Sequence, residues 1–300
     1  MTTPSSTAPD LSALTRPSGA FAMLAVDQRE ALRAMFAGHQ DGPVTDEQIT
    51  AFKIDAVREL TPHASAVLLE RQFALDAVLA AGVIDPGCSL IAAADHFTAD
   101  EREFVAEVRI DTEVEPARIA AVGGKAMKLL VLWRPDEDPA GRIAMVEEFV
   151  GRCRSAGLIS IIEPLSRGSR DGTPRTAAEW DAGVLAAARE LGGLGADVYK
   201  AEVPLHGEGD EAGVRRGCAA LNEAIGSPWV VLSSGVPHEL FPRAVRLACE
   251  EGAAGFLAGR AVWRTVVGAS DITGALRRDA VPRLRELCEI VDTAIAGRRS

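Results

Sequence analysis

Aromatic residues are scarce in this 300-residue chain: 9 Phe, 4 Trp and a single Tyr, 5% of the whole. With 47% hydrophobic residues, the core must be built of Ala, Val, Leu and Ile, a mixture that suits helices packed on parallel strands. Cysteines number five, at 88, 153, 218, 249 and 288, and none forms a Cys-x-x-Cys pair. Scattered and odd in number, they exclude a disulfide framework and point to reduced, mostly buried thiols in a cytoplasmic protein. No stretch approaches the roughly 20 apolar residues of a membrane span. The first ten residues lack a basic start and an apolar run, which excludes a signal peptide, so residues 1–13 are expected to form a flexible tail. Basic residues are outnumbered, 32 against 43 acidic, for a net charge of −11. That balance excludes a general nucleic-acid surface, although cations that converge locally can still hold an anionic substrate.

Short apolar runs are what the chain does have. They fall at 21–26, 65–69, 88–94, 126–133, 158–162, 197–203, 228–232 and 253–258. Between them lie segments with helical spacing, such as 46–60, where Ile49, Phe52, Ala56 and Leu60 recur on one face. Eight strands alternating with helices predict an α/β fold of the (β/α)8 TIM barrel type, a single domain over 14–300 closed by C-terminal helices. A doubly wound sheet would show a glycine loop after its first strand. Here Gly193-x-Gly195 precedes a strand instead. Residues 98–114 are charged and weakly patterned and read as an insertion at the mouth of the third strand. The polar stretch 166–174 reads as a lid.

In such a barrel the working residues sit at the C-terminal ends of strands. Lys200 lies in the run 197–203, sharing a face with Val198 and Glu202. An ammonium facing an apolar interior, or another cation, is pushed towards neutrality and becomes a nucleophile able to form a Schiff base. Lys128, Glu163 and Lys200 fall on consecutive strands four, five and six. Neighbouring strands are about 5 Å apart, so the three can converge. Lys128 is then the cation that depresses Lys200, and Glu163 the proton shuttle; a purely structural Lys–Glu–Lys network is the alternative. After strands seven and eight, Ser234-Gly235 and Gly259-Arg260 offer backbone N–H groups and a guanidinium for a phosphate. His96, His206 and His238 follow strands, but no His-x-His or His-Glu-x-x-His spacing supports a metal site.

Several segments also carry a likeness. FAMLAVDQRE at 21–30, GKAMKLLVLW at 124–133, IIEP at 161–164, DVYKAEVP at 197–204, LSSGV at 232–236 and GFLAGRAVW at 255–263 resemble the class I aldolases of the tagatose-bisphosphate aldolase group. Within that group they are similar to the branch acting on sulfofructose phosphate. The resemblance implies cleavage of 6-deoxy-6-sulfofructose 1-phosphate to dihydroxyacetone phosphate and 3-sulfolactaldehyde, with tagatose or fructose bisphosphate as the alternative substrate. It implies no metal and no other cofactor, with Lys200 as the Schiff-base lysine, Glu163 as acid/base and Lys128 as the neighbouring cation. Asp27 and Gln28 would contact substrate hydroxyls, and Ser234, Gly235, Gly259 and Arg260 would hold the phosphate. Arg29 and Arg71 are candidates for the far anion. The expected partner is a small sugar phosphate or sulfonate, with no nucleic acid and no membrane. The apolar C-terminal helices offer a subunit interface, so a homo-oligomer is expected.

Overall fold

Along each apolar run the side chains alternate between two environments. In the computed structural model, which describes residues 9–299, the first strand, β1 (Phe21–Ala25), turns Phe21, Met23 and Ala25 into the barrel interior. Ala22 and Leu24 face the helices instead. The same alternation holds in β2 (Ala66–Leu69) and β3 (Ser89–Ala93). Next comes a short antiparallel hairpin, β4 (Asp95–Thr98) and β5 (Glu107–Ile110). The remaining barrel strands are β6 (Ala126–Trp133), β7 (Ile159–Ser166), β8 (Val198–Ala201), β9 (Trp229–Val231) and β10 (Gly255–Ala258). Eight parallel strands close in the order β1-β10-β9-β8-β7-β6-β3-β2. With helices between them this is the (β/α)8 barrel that the alternating runs predict.

Two corrections to the reading of the sequence matter for the site. The stretch at 98–114 is not unpatterned: Thr98 ends β4, residues 107–110 form β5, and the two pair as a hairpin whose Phe97, Val105 and Val108 pack on Leu130, Leu132 and Leu165 at the barrel mouth. The fifth strand runs to Ser166, four residues past its expected end, so Glu163 sits within β7. Pro164 is tolerated there because β8 pairs with β7 only at Ile161 and Ile162. Beyond them β7 has no partner strand on that side among the described residues, so Pro164 breaks no ladder bond.

At the other end, Asp10 caps the turn Leu11–Leu14, and Leu14 is buried with the interior strand residues. Ser89 Oγ donates to the Ala13 carbonyl at 2.6 Å. Of the expected tail, residues 1–8 lie outside the described residues, and the capped turn Leu11–Leu14 overlaps its last part. All five cysteines are buried and unpaired. Among the described residues no helix is long and apolar enough to cross a membrane.

Candidate active site

The interior alternation carries polar side chains into the C-terminal half of the barrel. Continuing β1 from Phe21, Met23 and Ala25, the next inward position is Asp27; on β3, Ile91 and Ala93 lead to Asp95. On β6 the interior residue after Ala126 is Lys128, and on β7 the one after Ile161 is Glu163. After Val198 on β8 it is Lys200. All five are buried.

They form one network. Lys128 Nζ lies 2.9 Å from Asp27 Oδ2, 2.8 Å from Asp95 Oδ2 and 3.0 Å from Glu163 Oε2. Lys200 Nζ lies 2.9 Å from the other oxygen of the same carboxylate, Glu163 Oε1. Asp95 Oδ2 also accepts from the Leu130 N–H at 3.0 Å. Burial works against the charge on Lys128, but the three carboxylates outweigh it and hold the ammonium well above its ordinary range. Burial likewise opposes ionisation of Glu163, and Lys128 with Lys200 overcomes it, keeping that carboxyl below its usual range. Asp27 is depressed as well, by Lys128 and Lys200 against its burial. The two ammonium groups therefore do not meet bare, as like-charge activation of Lys200 would need; Glu163 stands between them.

Asp27, Glu163, Ser234 and Arg260 line a cavity of about 620 Å³ at the strand ends, with the hairpin forming one wall. Gln28 lines it too, and its buried Oε1 has no hydrogen-bond partner among the described residues. Arg260 donates to Ser234 Oγ at 2.7 Å. Gly235, at φ +76°, lies with Ser233 and Arg260 on an adjoining hollow. At Gly259 the constraint is backbone contact: a Cβ there would collide with the Ala25 carbonyl of β1.

Two expected residues do other work. Arg71 does not line the cavity; it pairs with Asp111 at 3.1 Å and Glu113 at 3.0 Å, beyond the hairpin. Arg29 does line it, but its guanidinium is taken by Asp95, donating to Oδ1 at 2.9 Å and to the carbonyl at 2.8 Å. Its face also lies 4.1 Å from the Phe97 ring centre, so it anchors the hairpin. Asp95 was visible as the charged end of the third run, yet its part in neutralising Lys128 was missed.

A second buried pair was missed altogether. Lys53 Nζ lies 2.5 Å from Glu70 Oε1 and donates to the Val26 carbonyl, one residue before Asp27. The histidines stay apart. His206 stacks edge-on against Trp180 and His238 meets Glu239. Among the described residues no group of three or more His, Cys, Asp or Glu is arranged to hold a metal.

Residues 21–265 match the DeoC/LacD family aldolase. The chain is 29% identical over 275 residues to tagatose 1,6-diphosphate aldolase of Listeria monocytogenes serotype 4a, covering 84% of this chain and 80% of that one. It is also 29% identical to tagatose 1,6-diphosphate aldolase 1 of Streptococcus pyogenes serotype M3, covering 82% and 81%. In fold it is similar to an archaeal fructose-1,6-bisphosphate aldolase whose catalytic Lys is bound to a carbinolamine intermediate. That match has a TM-score of 0.63 at 18% identity and covers 94% and 98% of the two chains. The aldolase of Plasmodium falciparum gives a TM-score of 0.68 at 13% identity, covering 94% and 92%. A family match spanning most of the chain, over a barrel with a lysine–carboxylate network at its mouth, means that this protein belongs to the DeoC/LacD family of aldolases.

Proposed function

We propose that this chain is a class I aldolase that cleaves a ketohexose 1-phosphate carrying a second anion at C6. The observation that supports this most is the contact between Lys200 Nζ and Glu163 Oε1, 2.9 Å, beside a cavity large enough for a sugar phosphate. Lys200 is the amine and Glu163 its proton acceptor. Lys128, held charged by three carboxylates, fixes Glu163 in place.

Glu163 takes a proton from Lys200, and the free amine adds to the C2 carbonyl. Protonation of the resulting hydroxyl by Glu163 expels water and leaves an iminium. Glu163, a base again, removes the C4 hydroxyl proton directly or through water, the C3–C4 bond breaks, and its electrons pass to the iminium nitrogen. A three-carbon aldehyde leaves. The enamine takes a proton at C3, and water releases dihydroxyacetone phosphate from Lys200. Asp27 and Gln28 meet sugar hydroxyls, and Ser234 and Arg260, with the glycines beside them, take the C1 phosphate.

For the C6 anion our reading is a sulfonate, from the residues shared with the sulfofructose phosphate branch. Tagatose or fructose 1,6-bisphosphate is the second reading, favoured by the 29% identical relatives. Borohydride trapping tests the shared mechanism. Reduction in the presence of dihydroxyacetone phosphate is expected to add that molecule less one oxygen, water lost and two hydrogens gained, to the peptide bearing Lys200. No adduct, or an adduct on another lysine, overturns it. Cleavage of sulfofructose phosphate and the two bisphosphates, assayed in parallel, decides the anion.

A further inference from the structure

Each carboxylate lining the cavity is already engaged. Asp27 and Glu163 pair with Lys128, Glu30 with Arg33, and Glu103 with Arg134. Its cations divide differently. Arg29 is held by Asp95. Arg260 meets a hydroxyl, Ser234 Oγ. Arg167 pairs with no carboxylate among the described residues; it donates to the Ser166 carbonyl at 3.0 Å and lies over the Trp180 ring at 6.0 Å. Arg102 also pairs with no carboxylate among the described residues, but it is exposed; Arg167 and Arg260 are the two partly buried guanidinium groups without carboxylates in this hollow, in a chain of net charge −11.

We infer that Arg167 is the seat of the C6 anion, with Arg260 and Ser234 holding the phosphate at C1. The inference rests on the aldolase reading above and refines its substrate end. Arg167 is built for it. Its N–H donates to the Trp133 carbonyl at 2.9 Å, which pins its backbone to the end of β6. On one side the preceding Ser166 N–H is held by Glu202 at 2.7 Å. On the other, Arg175 donates to Ser166 Oγ at 2.9 Å and to the Arg167 carbonyl at 2.7 Å. A side chain on so fixed a backbone binds with little ordering cost. Its planar fork suits either a sulfonate or a phosphate, each presenting three oxygens. Arg102 reaches the same cavity from the hairpin but is exposed, so its charge is screened.

The test compares Arg167→Met and Arg167→Lys with the parent on fructose 1,6-bisphosphate, sulfofructose phosphate and fructose 1-phosphate, which lacks a C6 anion. Arg167→Met is expected to raise KM for the C6-charged substrates by roughly 10- to 100-fold, the worth of a charged hydrogen bond. Fructose 1-phosphate constants should change less than about threefold, and Arg167→Lys should recover part of the loss. Equal losses on all substrates, or none on any, overturn the inference. Trapping dihydroxyacetone phosphate on Lys200 separates the two readings, because it needs no C6 group. Unchanged trapping in Arg167→Met shows an intact first half-site. Absence of trapping in the parent sinks the aldolase mechanism and this inference with it.

Discussion

Lys128 and Lys200 share one carboxylate, each taking a different oxygen of Glu163, at 3.0 and 2.9 Å. The arrangement gives the two lysines unequal tasks. Lys128 has three carboxylate partners and stays charged; the carboxylate beside Lys200 is the only one within ion-pair distance of it among the described residues. A proton leaving Lys200 therefore has one acceptor. Glu163→Gln keeps the shape and removes the base. Its kcat is expected to fall by about 10²- to 10⁴-fold, the usual contribution of a positioned acid/base. Steady-state kinetics check this, and a loss under tenfold would hand the proton transfers to another group.

Replacing Lys128 by Met leaves Asp27, Asp95 and Glu163 buried without their common cation. Removing one member of a buried ion network typically costs about 3–5 kcal/mol. The depressed carboxyls of Asp27 and Glu163 stabilise the fold above their ordinary range and lose that effect as pH falls. The raised ammonium of Lys128 is fully effective below about 10.5 and lost above its folded value. The cluster thus stabilises best between about pH 4.5 and 10.5. In Lys128→Met, Glu163 takes up its proton at higher pH, and the acid limb of the kcat/KM profile moves upward. An unmoved limb would show that Lys128 does not govern Glu163.

How much of this was legible follows from the barrel's own chemistry. A strand buried on both faces reads as an unbroken apolar run, so the eight runs were plain, and a lysine inside one, such as Lys128 or Lys200, was conspicuous. Partners distant in sequence were not. Arg71 looked free because Asp111 lies 40 residues on, beyond the hairpin. The hairpin was hidden by its charges, although Glu107-Val108-Arg109-Ile110 does alternate. Lys53 stood on the helical face of Ile49, Ala56 and Leu60, and a lone charge on an apolar face was a signal that went unread.

That lone charge and its partner make a double-mutant test. Lys53 and Glu70 are fully buried, and burial pulls the Lys53 ammonium down while Glu70 holds it up. Lys53→Met alone leaves Glu70 uncompensated and is expected to cost about 3–5 kcal/mol. Lys53→Met with Glu70→Leu should recover most of it, because two matched apolar groups often replace a buried pair at little cost. Chemical denaturation gives both values. If the losses merely add, the pair is not coupled.

Gly259 was expected to serve a phosphate, and the fold gives it a further duty. A Cβ at 259 would strike the Ala25 carbonyl, which accepts from Trp263 Nε1 at 2.9 Å. Gly259→Ala must therefore push β10 from β1, two residues before Asp27. The expected cost is about 1–3 kcal/mol of stability, as for other overpacked sites. Urea denaturation of variant and parent under the same conditions measures it. Full stability with only a raised KM would reduce Gly259 to a ligand contact.

Glu202 yields a prediction of opposite sign to the other carboxylates. Its side chain is buried, accepts from the Ser166 N–H at 2.7 Å, and is pushed up to about 7 by that burial, against the pull of Arg167. A folded value above the ordinary 4.5 means that the folded chain holds this proton more tightly than the unfolded one. The associated stability is complete below about pH 4.5 and is lost as pH rises through about 7. Above that the protein carries a buried charge. Glu202→Gln keeps an acceptor for Ser166 and abolishes the charge. The variant should match the parent near pH 4.5 and exceed it at pH 8, by on the order of 3 kcal/mol from the size of the shift. Melting both proteins at the two pH values decides the matter. A variant that is weaker at pH 8 would mean that Arg167 and Arg175 hold Glu202 ionised, and the carboxylate would then belong to the ion network instead of opposing it.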